Sequence, residues 1–192
     1  TTTMCRTPST PCGWTGAWFS APDGDLGAAQ ERKLDYICRK LRLSPGARLL
    51  DIGCGWGGLI IHATQHYGAE ALGITLSEPQ GELARARIAE AGLAHRCRVE
   101  VRDYRDLDTA EVYDRLVSIG MVEHVGKVKL PEYFEQAWKL LRPGGVFLSH
   151  GIAGLPDGPV KTGPTFVDTH VFPDSELPPI NTVLGAAESC RF

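Results

Sequence analysis

No stretch of this 192-residue chain is apolar for the length of a membrane span, and no signal peptide is visible. These residues therefore predict neither a membrane-spanning nor an exported protein. The chain also lacks a dominant charge: 20 Lys and Arg against 23 Asp and Glu leave a net charge of −3. Bulk electrostatics do not favour nucleic acid as a partner. The six cysteines, at positions 5, 12, 38, 54, 97 and 190, show no CxxC spacing. Reduced thiols in a cytoplasmic protein are expected, with neither a disulfide framework nor a metal site. There is no internal repeat. The composition, 43% hydrophobic and 22% charged, suits one soluble globular domain with its own core.

The pattern along the chain alternates between helix and strand. Residues 1–13, rich in Thr, Ser and Pro, read as a loose N-terminal arm. Leu34, Ile37, Cys38 and Leu41 recur at helical spacing, which predicts an amphipathic helix over 27–42. Strands are predicted at 48–52, 69–75, 97–101, 115–119 and 146–150. Helices are predicted at 59–67 and 77–91, with another ending before Pro143-Gly144-Gly145. Such alternation implies a largely parallel sheet with helices on both faces.

The densest signal is LLDIGCGWGG, Leu49 to Gly58. A short apolar run ends in Asp51, and Gly53, Gly55, Gly57 and Gly58 follow before a helix. Glycines let the backbone turn sharply and approach a ligand closely. The free N–H groups of the next helix favour an anionic or polar ligand. This is how an α/β domain cradles a nucleotide-like cofactor. A dinucleotide fold places an acidic residue at the tip of its second strand. Here Glu70 precedes that strand and Glu78 follows it, so NAD fits poorly. Thr75 and Gln80 are alternative ribose contacts, although Ser77-Glu78-Pro79-Gln80 also fits a helix capping box, the preferred reading of Gln80.

A second constellation is SIGMVEHVG, Ser118 to Gly126. Gly120, Glu123 and His124 fall beyond the carboxyl end of the fourth strand, where ligands bind in such sheets. Glu123 reads as a base or orienting carboxylate, or as an ordinary capping group. His124 reads as structural. His150 ends the fifth strand on the same rim, and the two strand-end polar residues together strengthen a site there.

Five segments in order, LLDIGCGWGG, GITLSEPQ, VRDYRDL, DRLVSIGMVEHVG and LLRPGGVFLSHGI, resemble the cyclopropane-fatty-acyl-phospholipid synthase and mycolic acid methyltransferase family. FVDTHVFPDSELPPINTVLGAAE resembles it too, so the likeness runs over residues 14–192 as one domain. The resemblance implies a Rossmann-like class I methyltransferase fold that uses S-adenosylmethionine on unsaturated acyl chains in lipid biosynthesis. By position, it implies that Gly53 and Gly55, after Asp51, cradle the cofactor's amino-acid part. Thr75, Leu76 and Gln80 would meet its ribose and adenosine, and Asp103 and Tyr104 would flank the adenine. Ile119 and Gly120 would line the region of the sulfonium. Trp14 and Thr15 would close over the cofactor. The family's bicarbonate would be held at Gly16, Glu123, His150 and the Ile152 backbone, with Glu123 and His150 as the catalytic pair. The implied partner is an unsaturated phospholipid or acyl carrier, reached by peripheral membrane contact; no amphipathic signal marks that contact.

Two departures from the family pattern stand out. Trp14-Thr15-Gly16-Ala17-Trp18-Phe19 stands where the family reads roughly Tyr-Ser-Cys-Ala-Tyr-Phe, so a glycine occupies the cysteine position. A backbone amide there can still donate to an anion. The chain also stops at Phe192, where the family's sixth strand would begin. A truncated domain lacking the last two strands, and the tyrosine that helps to hold bicarbonate, is therefore expected. Three functions compete: acyl C-methylation or cyclopropanation, N-methylation of a small amine, and non-catalytic binding of S-adenosylmethionine.

Overall fold

A computed structural model describes residues 25–108, 112–154 and 176–192. The arm at 1–13 and the candidates Trp14, Thr15 and Gly16 lie outside the described residues.

Helix α1 (Leu26–Lys40) starts where Asp25 accepts from the Ala28 N–H at 2.8 Å, an N-cap that satisfies one orphan donor. Strand β1 (Arg48–Ile52) leads through the glycine loop to α2 (Gly58–Tyr67). Gly68, at φ +66°, closes α2 in the left-handed conformation. Then follow β2 (Glu70–Thr75), α3 (Glu78–Glu90), β3 (Cys97–Val101) and a 3-10 turn at Tyr104–Asp106. Strand β4 (Tyr113–Ile119) ends in the single turn α4 (Val122–Val125). Helices α5 (Leu130–Leu140) and α6 (Ile180–Ser189) flank β5 (Leu141–His150) in sequence.

The five strands are all parallel, in the order β3-β2-β1-β4-β5. The chain reverses its direction of winding between β1 and β4. That switch point opens a crevice at the carboxyl ends of the strands. Strand alternation divides the core into two layers. Leu49, Ala71, Val99 and Val117 pack against α1, α2 and α3 through Ile37, Cys38, Ile60, Ala84 and Ile88. Leu50, Ile52, Leu72, Ile74 and Leu116 pack on the other face against Tyr104, Leu130, Tyr133, Phe134 and Leu140. This is the parallel α/β sheet with helices on both faces that the alternating pattern implied, and the class I architecture that the resemblance implied.

The fifth strand differs from expectation. Pro143-Gly144-Gly145 was expected to separate helix from strand, yet β5 begins at Leu141. Its register jumps from Tyr113↔Leu141 to Arg115↔Val146, so the Pro-Gly-Gly run bulges out within the ladder. Gly144 takes φ +75°, and Pro143 needs no ladder donor at a bulge. β5 is one of the two edge strands among the described residues, with β3 at the other side. Phe147 of β5 is half-buried, edge-on to Phe134 at 6.1 Å and tilted against Phe192 at 5.5 Å. Cys38, Cys54 and Cys97 are buried, and desolvation pushes their thiols up, Cys38 to about 12 and Cys97 to about 11. No helix among the described residues is long and apolar enough to cross a membrane.

Candidate functional site

The crevice at the strand ends is a cavity of about 1160 Å³. Its floor is the glycine loop. The N–H groups of Gly53 and Cys54 both donate to the Ile74 carbonyl, at 3.0 and 2.9 Å, which ties the loop to the end of β2. Gly53 and Gly55 hold φ of +82° and +54°, where an L side chain is strained. A Cβ on Gly55 would meet nothing within 4 Å, so its conformation, and not crowding, selects glycine.

Asp51 lies at the base of this floor, only 4% exposed, and lines the cavity. Among the described residues no side chain or backbone group bonds its carboxyl. Burial pushes its pKa up to about 7, because a charged form without a partner is poorly solvated there.

At the tip of β2, the Thr75 hydroxyl donates to Gln80 Oε1 at 2.8 Å and accepts from the Ser77 N–H at 3.2 Å. The capping box expected at Ser77–Gln80 is not formed, since Ser77 makes no side-chain cap bond. Thr75 captures the Gln80 carbonyl instead, which leaves the amide NH₂ of Gln80 at the cavity wall. Leu76, beside it, is 69% exposed and presents an apolar surface to the same cavity.

Beyond β3, Asp103 caps the 3-10 turn by accepting from the Arg105 N–H at 2.9 Å. The Arg105 guanidinium also grips Asp103, at 3.0 and 2.6 Å, and holds its carboxyl below the usual range. Tyr104 is largely buried, packed edge-on against Tyr133 at 5.6 Å, with part of its surface on the cavity. At the tip of β4, Gly120 (φ +72°) donates to the His150 carbonyl at 2.8 Å. Ile119 and Gly120 line the cavity.

The structure therefore brings Asp51, Gly53, Gly55, Thr75, Leu76, Gln80, Asp103, Tyr104, Ile119 and Gly120 onto one cavity. Glu123, His150 and Ile152 do not line it. Glu123 is 1% exposed, and its Oε1 accepts from the Ile152 N–H at 2.7 Å. Its Oε2 is buried and meets no donor among the described residues. The Ile152 amide, expected to face an anion, is thus occupied by Glu123. The His150 side chain is exposed at the end of β5, and only its carbonyl is tied to the β4 tip.

Sequence reasoning missed several contributors to the cavity wall, among them His124, Trp56 and Lys33. His124, read as structural, lines it. Trp56 borders it from the glycine loop, and Lys33 from α1. Lys33 is only 6% exposed, and burial pushes its ammonium down to about 8. Its signal was present in the sequence: Ala29, Lys33 and Ile37 are spaced at i, i+4 and i+8, a cation inside the apolar stripe.

The chain matches the profile of a family described as mycolic acid cyclopropane synthetase over residues 9–192. A probable fatty acid methyltransferase of Pseudomonas putida is 45% identical over 170 residues, which cover 87% of this chain and 43% of that protein. The cyclopropane synthase MmaA2 from Mycobacterium tuberculosis superposes with a TM-score of 0.81 at 33% identity, over 91% of this chain and 64% of that one. The mycolic acid cyclopropane synthase CmaA1, solved in complex with SAH and CTAB, gives 0.79 at 34% identity, with 91% and 64% covered. The chain spans about two fifths of the length of the first curated relatives it matches and 64% of cyclopropane mycolic acid synthase 1 of Mycobacterium tuberculosis.

Proposed function

The chain belongs to the mycolic acid cyclopropane synthetase family, and from that premise we propose that its strand-end cavity binds S-adenosylmethionine for methyl or methylene transfer to the double bond of an unsaturated fatty acyl chain. The observation that carries this reading is Asp51. A buried carboxyl with no partner among the described residues, on the floor of a glycine-lined cavity, suits a ligand that brings its own cation. The amino-acid end of S-adenosylmethionine carries an ammonium. The other wall fits a nucleoside: the Gln80 amide, the Thr75 hydroxyl and Asp103 offer polar contacts beside the apolar Leu76.

When bound, S-adenosylmethionine supplies an electrophilic methyl group. The chain's residues bind, orient and exclude water. Gly53 and Gly55 allow the backbone to approach the ligand, and Ile119 and Gly120 shape the end of the cavity at β4. An apolar, water-poor enclosure matters because an alkene that attacks such a methyl becomes cationic, and water would trap it.

Glu123 is the group assigned to hold or move a proton. Its Oε1 is fixed by the Ile152 amide, and its Oε2 is a buried acceptor without a donor. A bicarbonate hydroxyl suits that oxygen, with Gly16 and His150 as further contacts implied by the resemblance. The role of Ile152 on this reading is to orient Glu123. An unsaturated phospholipid substrate would bring the chain into peripheral contact with a lipid surface, whereas an acyl carrier would not.

The test is incubation with methyl-labelled S-adenosylmethionine and vesicles of unsaturated phospholipid, followed by mass spectrometry of the acyl chains. Label in the acyl chains is expected. Saturable cofactor binding with no label in any acyl chain would refute the transferase reading and leave a binding protein.

A further inference from the structure

One wall of the cavity carries a cation that the reading above does not use. Lys33 extends from the buried stripe of α1 and lines the cavity. It is 6% exposed, so its ammonium does not reach bulk water in the way that surface lysines do. Among the described residues no carboxylate lies within ion-pairing distance and no acceptor bonds it. Burial pushes its pKa down to about 8, the mark of a charge without compensation.

Asp51 occupies the same side of the sheet. Strand alternation points it with Leu49 toward α1 and α2, and its charge is felt at Cys38, little more than a turn along α1 from Lys33. The two do not pair with each other. One cavity thus presents a buried cation and a buried anion, each lacking a partner. Leaving both unpaired is unfavourable, and a ligand that carries both charges relieves both at once.

We propose that Lys33 binds the carboxylate of the amino-acid end of S-adenosylmethionine, so that α1 and β1 together recognise the cofactor's zwitterion. The inference rests on the cofactor reading above. Of the three charged groups on that cofactor, the sulfonium and the ammonium would repel Lys33. The carboxylate alone complements it. Asp51 then serves the ammonium, and the adenosine is left to the residues beyond β2 and β3.

The test is calorimetric titration of the whole chain with S-adenosylhomocysteine and with its decarboxylated analogue, which lacks only the carboxylate. The wild type is expected to bind S-adenosylhomocysteine about 10- to 100-fold more tightly than the analogue, the range for a charged hydrogen bond. Lys33→Met should abolish that preference and leave affinity for the analogue within about threefold. The thermal midpoint of the ligand-free variant should match or exceed that of the wild type, because an unpaired buried charge is gone. A wild type that does not discriminate between the ligands overturns the proposal without any variant. A preference that persists in Lys33→Met overturns it as well. Binding of neither ligand by the wild type would instead overturn the cofactor reading itself, and this proposal with it.

Discussion

The cofactor wall and the Glu123 rim lie a few residues apart in sequence and are built in different ways. Most of the candidate cofactor residues among the described ones sit at the carboxyl end of a parallel strand or in the turn that follows it; Gln80, in the first turn of α3, and Lys33, on α1, are the exceptions. Parallel register brings those ends together, so Asp51, Thr75, Asp103 and Ile119 converge on one cavity. Glu123, in contrast, is held by the loop after β5, through a bond from an amide 29 residues away. It faces that loop and not the cavity. Topology alone assembles the first region. The second depends on how particular connections fold over the strand ends.

The largest effect that separates the two regions is expected at Glu123. Glu123→Gln keeps the acceptor for the Ile152 amide but changes the free oxygen to an NH₂ group. We expect acyl methylation to fall by about 10²- to 10⁴-fold, the range for loss of a positioned acid–base group. Affinity for S-adenosylhomocysteine should stay within about twofold. Parallel loss of transfer and of cofactor affinity would erase the distinction between the regions.

Asp51 gives the next effect, and it is read as stability. Its carboxyl is raised in the folded chain, so it favours folding below the ordinary aspartate range and loses that contribution as pH rises through about 7. The ligand-free wild type should therefore be less stable at pH 8 than the Asp51→Asn variant, by up to about 4 kcal/mol for a three-unit shift. The gap should close toward pH 4. Denaturant titrations at the two pH values measure it, and calorimetry should show weaker S-adenosylhomocysteine binding by the variant. A wild type more stable than the variant at pH 8 would mean that Asp51 serves the fold and not a ligand.

The smallest effect probes the support beneath the cofactor wall. A Cβ on Gly73 of β2 would lie 2.7 Å from both Cβ and Sγ of Cys54 and 2.9 Å from Ile60 Cδ1. Gly73→Ala should displace the glycine loop and lower unfolding stability by about 2 kcal/mol, with cofactor affinity falling in step. Transfer and affinity should decline together here, the reverse of the pattern at Glu123.

Much of the cofactor wall was legible in the sequence because it is local. β1 and β3 occupy the predicted ranges, and the glycine loop announces itself through residues that tolerate positive φ. The errors arise where a longer-range contact decides. Gln80 has the spacing of a capping box, yet the Thr75 hydroxyl claims it from the strand below. Pro143-Gly144-Gly145 reads as a break, but pairing with β4 carries the strand through as a bulge. His124 sits in a helix of four residues, too short to show a periodicity that would have turned it toward the cavity. Lys33 was visible as a charge within an apolar stripe, and only its burial shows that the position is not a solvated one. The orientation of Glu123 follows from the Ile152 amide, which no local pattern encodes.

Amide hydrogen exchange of the chain with and without S-adenosylhomocysteine shows whether the strand-end cavity is the cofactor site. Saturable protection is expected at Gly53–Gly58 and at the β2 tip through Gln80, with little change at Val122–Val125. Absence of protection at the glycine loop under saturating ligand, or protection confined to the Glu123 rim, would contradict that assignment.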